Sequence, residues 1–146
     1  MNTYSDSASN NNHLIYAIDD DLLLGDIFSY VGEATGFDVE IVPSGKVLKN
    51  KLRKKRPDLL VMDIVMPNMD GIELINWFAE VECKLPVVLM SGYDSSYLNA
   101  AAKLAAAQKI NVVGSLQKPI AIETLEKLFR KLKLELLTES SLVSYS

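Results

Sequence analysis

Several features that would place a chain outside the ordinary globular proteins are scarce or missing here. There is one cysteine, Cys83, so no internal disulfide bond can form. No apolar run approaches the roughly 20 residues that a membrane-spanning helix requires, and no positively charged, apolar leader opens the sequence. We therefore expect a cytoplasmic protein that has no transmembrane segment and does not associate with the membrane.

An excess of positive charge is also lacking. The chain has 19 acidic and 15 basic residues, a formal net charge of -4 at pH 7. General affinity for nucleic acids depends on positive charge and counterion release, so we expect no direct nucleic acid binding by this domain. Hydrophobic residues make up 49% and charged residues 23% of the chain, values that exclude a wholly disordered or fibrous protein.

The length of 146 residues fits one domain. Residues 1–12 are mostly Ser, Asn, Asp and Thr, which is too little apolar material to offset the entropy of ordering them. We interpret 1–12 as a flexible tail, 13–138 as the folded domain, and 139–146 as a C-terminal tail or the start of a linker.

Within the folded part, short runs rich in Val and Ile alternate with longer stretches of helical spacing. The predicted strands are 14–18, 39–42, 59–62, 87–90 and 112–116, and the predicted helices are 22–34, 45–55, 71–81, 95–109 and 122–137. This alternation predicts βαβ units around a parallel sheet. The fold class is therefore α/β, a doubly wound five-stranded parallel sheet with flavodoxin-like strand order 2-1-3-4-5.

Polar side chains stand where four of the five strands end. Asp19, Asp20 and Asp21 follow the first strand and Asp63 the third, while Ser91 and Lys118 follow the fourth and fifth. In the order 2-1-3-4-5 the first and third strands are neighbours, and ligands of such sheets bind outside the carboxyl ends at this point. We therefore expect Asp19, Asp20 and Asp63 to converge, although each acidic residue taken alone is more often a helix cap or a solvated turn.

Crowded carboxylates repel one another unless a cation neutralises them. Mg²⁺ prefers oxygen ligands, typically one or two carboxylates with waters and phosphate oxygens. His13, the only histidine, lies at the other end of the first strand, which disfavours zinc. With a metal, the Ser91 hydroxyl and the Lys118 ammonium beside it, Asp63 is placed to attack a phosphoryl group as a nucleophile.

At this point the residues carry a family resemblance. The relevant pieces are Ile18-Asp19-Asp20, the segment DIVMPNMDG at 63–71, Met90-Ser91-Gly92 and Lys118-Pro119. In order and spacing the chain from His13 to about Leu137 resembles the receiver domain of two-component response regulators, the family that includes the bacterial chemotaxis receiver.

The resemblance implies that Asp63 accepts a phosphoryl group from a sensor histidine kinase, a phosphotransfer protein or a small phosphodonor. It implies a Mg²⁺ site formed by Asp19, Asp20, Asp63 and the backbone carbonyl of Val65. Ser91 would be the switch hydroxyl and Lys118 the phosphate-binding lysine, joined to Pro119 by a cis peptide bond. The downstream partner would be an effector protein or an effector domain absent from this segment, and a homodimer is left open.

One position departs from the family pattern, and two others bear on the lifetime of the phosphoryl group. Receivers usually have Tyr or Phe three residues before the lysine, whereas this chain has Ser115, so the usual aromatic switch cannot operate. This favours an alternative, a phosphorylation-independent interaction module on the same fold. Val65 and Tyr93 border the path of water in similar domains and neither acts as a base, so we expect a long-lived phosphoryl group. Val65 also argues against a phosphatase with an aspartate nucleophile, because such enzymes place a second aspartate there.

A strongly basic segment lies at residues 46–56. It holds seven of the fifteen basic residues: Lys46, Lys49, Lys51, Arg53, Lys54, Lys55 and Arg56. One interpretation is a surface for an anionic partner or DNA. The other is the solvated side of an ordinary helix, because Val47, Leu48 and Leu52 give the same segment an apolar side.

Overall fold

The computed structural model describes residues 12–66, 69–92 and 95–145. Most of the predicted tail 1–12 lies outside these ranges, and so does Tyr93. Within the described chain five strands of one sheet alternate with five helices. They are β1 His13–Ile18, α1 Leu22–Thr35, β2 Phe37–Val42, α2 Gly45–Lys54, β3 Leu59–Asp63, α3 Gly71–Glu80, β4 Val87–Ser91, α4 Ser95–Ala107, β5 Val112–Gln117 and α5 Ile122–Tyr145.

The sheet is parallel throughout and has the order β2-β1-β3-β4-β5, which confirms the predicted fold. In the register, Ile18 at the end of β1 lies between Val42 of β2 and Met62 of β3. The carboxyl ends of these strands therefore reach one edge of the sheet, here called the carboxyl rim. A small antiparallel pair, Val65–Met66 with Met69–Asp70, follows β3 and was not predicted.

The sheet is buried on both faces, which explains why its central strands read as continuous apolar runs. Alternate residues of β1 point to opposite sides: Tyr16 and Ile18 join a core with α2, α3 and α4, while Ile15 and Ala17 join a core with α1 and α5. Two separate apolar layers thus hold the rim in place.

The ends of the helices follow local rules. The Asp21 carboxylate accepts hydrogen bonds from the backbone N–H groups of Leu23 and Leu24 at the start of α1, as a capping residue does. Gly36 ends α1 in the left-handed conformation, with φ of 90°, which glycine adopts at little cost.

Three predicted helix ends differ from the structure by one residue, and two differ by more. α4 ends at Ala107 rather than at residue 109, because Lys109 has a φ of 64°, outside the range of a right-handed helix. α5 continues to Tyr145 instead of ending at residue 137, and its added length contains the good helix former Glu139. The division into tail, domain and linker stays a prediction.

Candidate functional site

Two carboxylates meet at the carboxyl rim because β1 and β3 are adjacent. Asp19 follows the last residue of β1, and Asp63 is the last residue of β3. Their exposed fractions are only 1% and 3%. Two buried acids side by side would repel each other unless a positive charge lay between them.

Lys118 provides that charge. Its Nζ lies 2.7 Å from Asp63 Oδ2 and 3.1 Å from Asp19 Oδ2. The backbone N–H of Lys118 donates to the carbonyl of Ser91 at 2.8 Å, which fixes the lysine beside the end of β4. The bond from Lys118 to Pro119 is cis, as the resemblance implied.

The other oxygen of each carboxylate is held by the backbone. Asp19 Oδ1 accepts from the N–H of Asp21 at 2.8 Å, and Asp63 Oδ1 accepts from the N–H of Val65 at 2.9 Å. Sequence analysis missed these two donors. Both lie two residues after the acid, the spacing of an Asx turn, so the signal was present in the sequence.

The charges of this site are coupled. Burial raises the pKa of Asp19 above its ordinary value, and the opposing contacts with the Asp21 N–H and with Lys118 only partly offset that rise. For Lys118, burial by itself lowers the pKa, but the hydrogen bonds and charges of Asp63 and Asp19 together outweigh it. The pKa of Lys118 is therefore raised, and the lysine remains an ammonium at neutral pH.

The remaining predicted site residues occupy different positions around this pair. Ser91, fully buried, ends β4, and Val65 lies half-buried in the small antiparallel pair. Asp20 is exposed in the bend that follows β1. Among the residues that the structure describes, no three Asp, Glu, His or Cys side chains form a group that could hold a metal.

The donor set can nevertheless be tested for its fit to Mg²⁺. Asp19 Oδ2 is buried, and its one contact with a polar group of the described residues is the ion pair with Lys118 Nζ at 3.1 Å. A buried carboxylate oxygen that has only this one partner, beside a second carboxylate, suits a hard cation, which needs only one or two carboxylates besides water and phosphate oxygens. The residues present therefore fit Mg²⁺.

The fold is that of a doubly wound α/β domain, and its carboxyl rim carries a site formed by the buried Asp19 and Asp63 together with Lys118. Residues 15–130 match the response regulator receiver domain family, and the chain belongs to that family. Response regulator MprA of Mycobacterium leprae is 29% identical over 136 residues, which cover 90% of this chain and 58% of that protein. Transcriptional regulatory protein FixJ of Bradyrhizobium diazoefficiens is 29% identical over 72% of this chain and 49% of its own length.

Comparison with solved structures agrees with the membership of the receiver domain family. A response regulator from Colwellia psychrerythraea superposes with a TM-score of 0.69 at 29% identity, covering 84% of this chain and 98% of that one. A CheY-like receiver domain protein from Methanospirillum hungatei superposes with a TM-score of 0.72 at 22% identity, covering 88% of this chain and 98% of that one; this likeness shows the fold alone.

The chain spans about half the length of the curated relatives it matches. In the described part of the chain, no helix combines the length and apolarity needed to cross a bilayer.

Proposed function

We propose that this chain is a phosphoacceptor: Asp63 takes a phosphoryl group from the phosphohistidine of a sensor histidine kinase or phosphotransfer protein, or from a small phosphodonor. The observation that carries the proposal is the 2.7 Å contact between Lys118 Nζ and Asp63 Oδ2, with Asp19 beside both. A histidine kinase as donor would place the reaction in the cytoplasm.

In this reaction a carboxylate oxygen of Asp63 forms a bond to phosphorus, while the bond from phosphorus to the donor nitrogen breaks. The electron pair of that bond stays with the leaving imidazole. Lys118 is already placed to neutralise charge on the transferred group, and the buried Ser91 hydroxyl lies on the neighbouring strand end. The backbone N–H of Val65 keeps the Asp63 carboxylate in position.

The residues that would hold Mg²⁺ are Asp19, Asp20, Asp63 and the carbonyl of Val65. When bound, the metal neutralises negative charge on the phosphoryl oxygens. Asp19 would supply the buried oxygen that contacts Lys118, and Asp20 would supply a carboxylate at the exposed edge of the site.

Phosphorylation would then shift an existing equilibrium between two conformations and so change the affinity for an effector protein or for an effector domain outside this segment. The chain would not act as an enzyme on other substrates. Its only chemistry would be self-phosphorylation and slow loss of the group. Because the Val65 side chain cannot hydrogen-bond an attacking water, whereas an asparagine amide can orient one, a Val65→Asn variant is expected to release phosphate faster than the unaltered protein.

The test is incorporation of acid-labile phosphate from acetyl phosphate with Mg²⁺. Asp63→Asn should abolish labelling, whereas Asp58→Asn, a matched change at the opposite end of the sheet, should leave it intact. Labelling that persists in Asp63→Asn would move the acceptor elsewhere.

A second candidate is a phosphorylation-independent interaction module on this fold. It is favoured by Ser115, which stands exposed on β5 where receivers usually carry an aromatic residue. Beryllofluoride imitates a phosphoryl group on aspartate, so binding that requires Mg²⁺ and Asp63 supports the phosphoacceptor. Failure to bind, with the fold intact, would favour the interaction module.

A further inference from the structure

The basic segment at 46–56 forms a positive surface on an otherwise acidic protein. Seven basic residues stand there without a single acidic one, although the whole chain has a net charge of -4. In the structure Leu48 is buried and Val47 and Leu52 are partly buried against the core, as predicted for the apolar side of α2. The charged side chains therefore project from the surface.

Part of this charge already has partners. Lys51 Nζ lies 2.6 Å from Glu40 Oε1, and Arg53 donates to Asn50 Oδ1 at 2.8 Å. The end of the segment differs, because Lys54, Lys55 and Arg56 are exposed one after another. Of these three residues, Arg56 lies beside the α3 residue Trp77.

Between the end of α2 and α3 lies a groove of about 190 Å³. Leu52, Trp77, Val81 and Leu85 give it apolar walls, and Arg56 stands at its edge. Lys49 Nζ lies 4.9 Å from the centroid of the Trp77 ring, so a second cation flanks the aromatic wall. Glu82 also lines the groove and offsets the charge of Arg56 within the lining, so the excess positive charge comes from Lys49 over the Trp77 ring and from the exposed Lys54 and Lys55.

The apolar walls of the groove favour one class of anionic partner over the others. A nucleic acid backbone would use the cations but leave the apolar walls unfilled, and a flat anionic bilayer would not enter a concave groove. An acidic peptide segment uses both, since an apolar side chain fills the cavity while carboxylates meet Arg56 and Lys49. Val81, which is 51% exposed, would lose unfavourable contact with water.

We propose that the groove between α2 and α3 docks an acidic segment of a partner protein, with an apolar side chain against Trp77 and Val81 and carboxylates on Arg56 and Lys49. The site lies on the face of the sheet covered by α2, α3 and α4, and it does not depend on the phosphoacceptor function.

The test uses Trp77 itself, because it is the only tryptophan in the chain and its emission reports occupation of the groove. The probe is a random copolymer of glutamate and leucine, compared with polyglutamate, duplex DNA and vesicles containing phosphatidylglycerol. We expect a saturable, salt-sensitive change in Trp77 emission with the copolymer, a weaker one with polyglutamate, and none with DNA or vesicles.

Two substitutions test whether the copolymer binds in the groove. Arg56→Gln should weaken copolymer binding about fivefold through loss of an exposed ion pair, and Val81→Ser about tenfold through loss of apolar contact. The matched controls are Lys103→Gln on α4 and Leu134→Ser on α5, both exposed and away from the groove, and neither should change binding. No emission response to the copolymer, equal losses in the controls, or an equal response to DNA or vesicles would each overturn the proposal.

Discussion

A lysine stands at each end of the sheet, and the two have opposite surroundings. At the carboxyl rim Lys118 lies between two buried carboxylates. At the amino end Lys133 donates from Nζ to His13 Nδ1 at 2.6 Å and to the carbonyl of Gly36 at 2.8 Å, above the ring of Phe37. The Lys118 ammonium contacts two carboxylates, whereas the Lys133 ammonium contacts a backbone carbonyl and an imidazole.

The pKa values of the two lysines shift in opposite directions. The pKa of Lys118 is raised, because its two carboxylates outweigh the effect of burial. The pKa of Lys133 is lowered by burial, against which the charges of Asp58 and Asp38 act only in part. The same residue type thus serves an electrostatic site at one end and the attachment of α5 to the sheet at the other. The following predictions test this contrast.

The largest effect is expected from removing the rim ammonium. Lys118→Met leaves two buried carboxylates without their partner, and we expect the free energy of unfolding at neutral pH to fall by about 3 kcal/mol. Urea unfolding measures it, with exposed Lys103→Met as the control. A loss no greater than that of the control would show that the rim charges are not coupled.

A backbone contact beside the rim gives the next effect. A Cβ added to Gly71 would lie 2.5 Å from Ile64 Cα, so Gly71→Ala must displace backbone, and we expect a loss of about 2 kcal/mol. At Gly92 the nearest atom to an added Cβ is Lys118 Cδ at 3.7 Å, an ordinary contact. Gly92→Ala should therefore unfold at nearly the same urea concentration as the unaltered protein, and similar losses in both variants would contradict this account.

At the amino end, Lys133→Met removes a hydrogen bond to a neutral carbonyl and one to an imidazole. We expect a loss of about 1 kcal/mol in the free energy of unfolding, smaller than that of Lys118→Met. Paired urea titrations of the two variants compare the ends directly. Equal losses would remove the distinction between them.

The smallest effect concerns pH. Burial, followed by the charge of Lys133, lowers the pKa of folded His13 below its ordinary 6.5. As pH falls through 6.5, the unfolded chain therefore gains a proton before the folded one does, and folding loses stability down to the lowered pKa. His13→Gln should lose less stability than the unaltered protein between about pH 7.5 and 5.5. If the free energy of unfolding changed with pH in the same way in His13→Gln and in the unaltered protein, His13 would not contribute to the pH dependence.

The spatial convergence of Asp19, Asp63 and Lys118 was predictable from the sequence because the ends of the strands determine it, while the roles of these residues stay predictions. Asp19, Asp63 and Lys118 each follow an apolar run, and parallel order alone brings them to one edge. The amino-end contact was not predictable, because His13 and Lys133 are 120 residues apart and neither belongs to a motif. Asp21 directly precedes the predicted helix start at residue 22, the position of an N-cap, and the structure confirms that role, whereas no sequence pattern indicates that Asp20 faces solvent.

The contact of Lys133 with His13 also determines where attachments to this chain would sit. β1 starts at this contact and α5 passes it at Lys133, so the contact lies at the end of the sheet opposite Asp19 and Asp63. A fluorescent label attached to Asn12, which is exposed beside His13, would therefore leave access to Asp63 unobstructed.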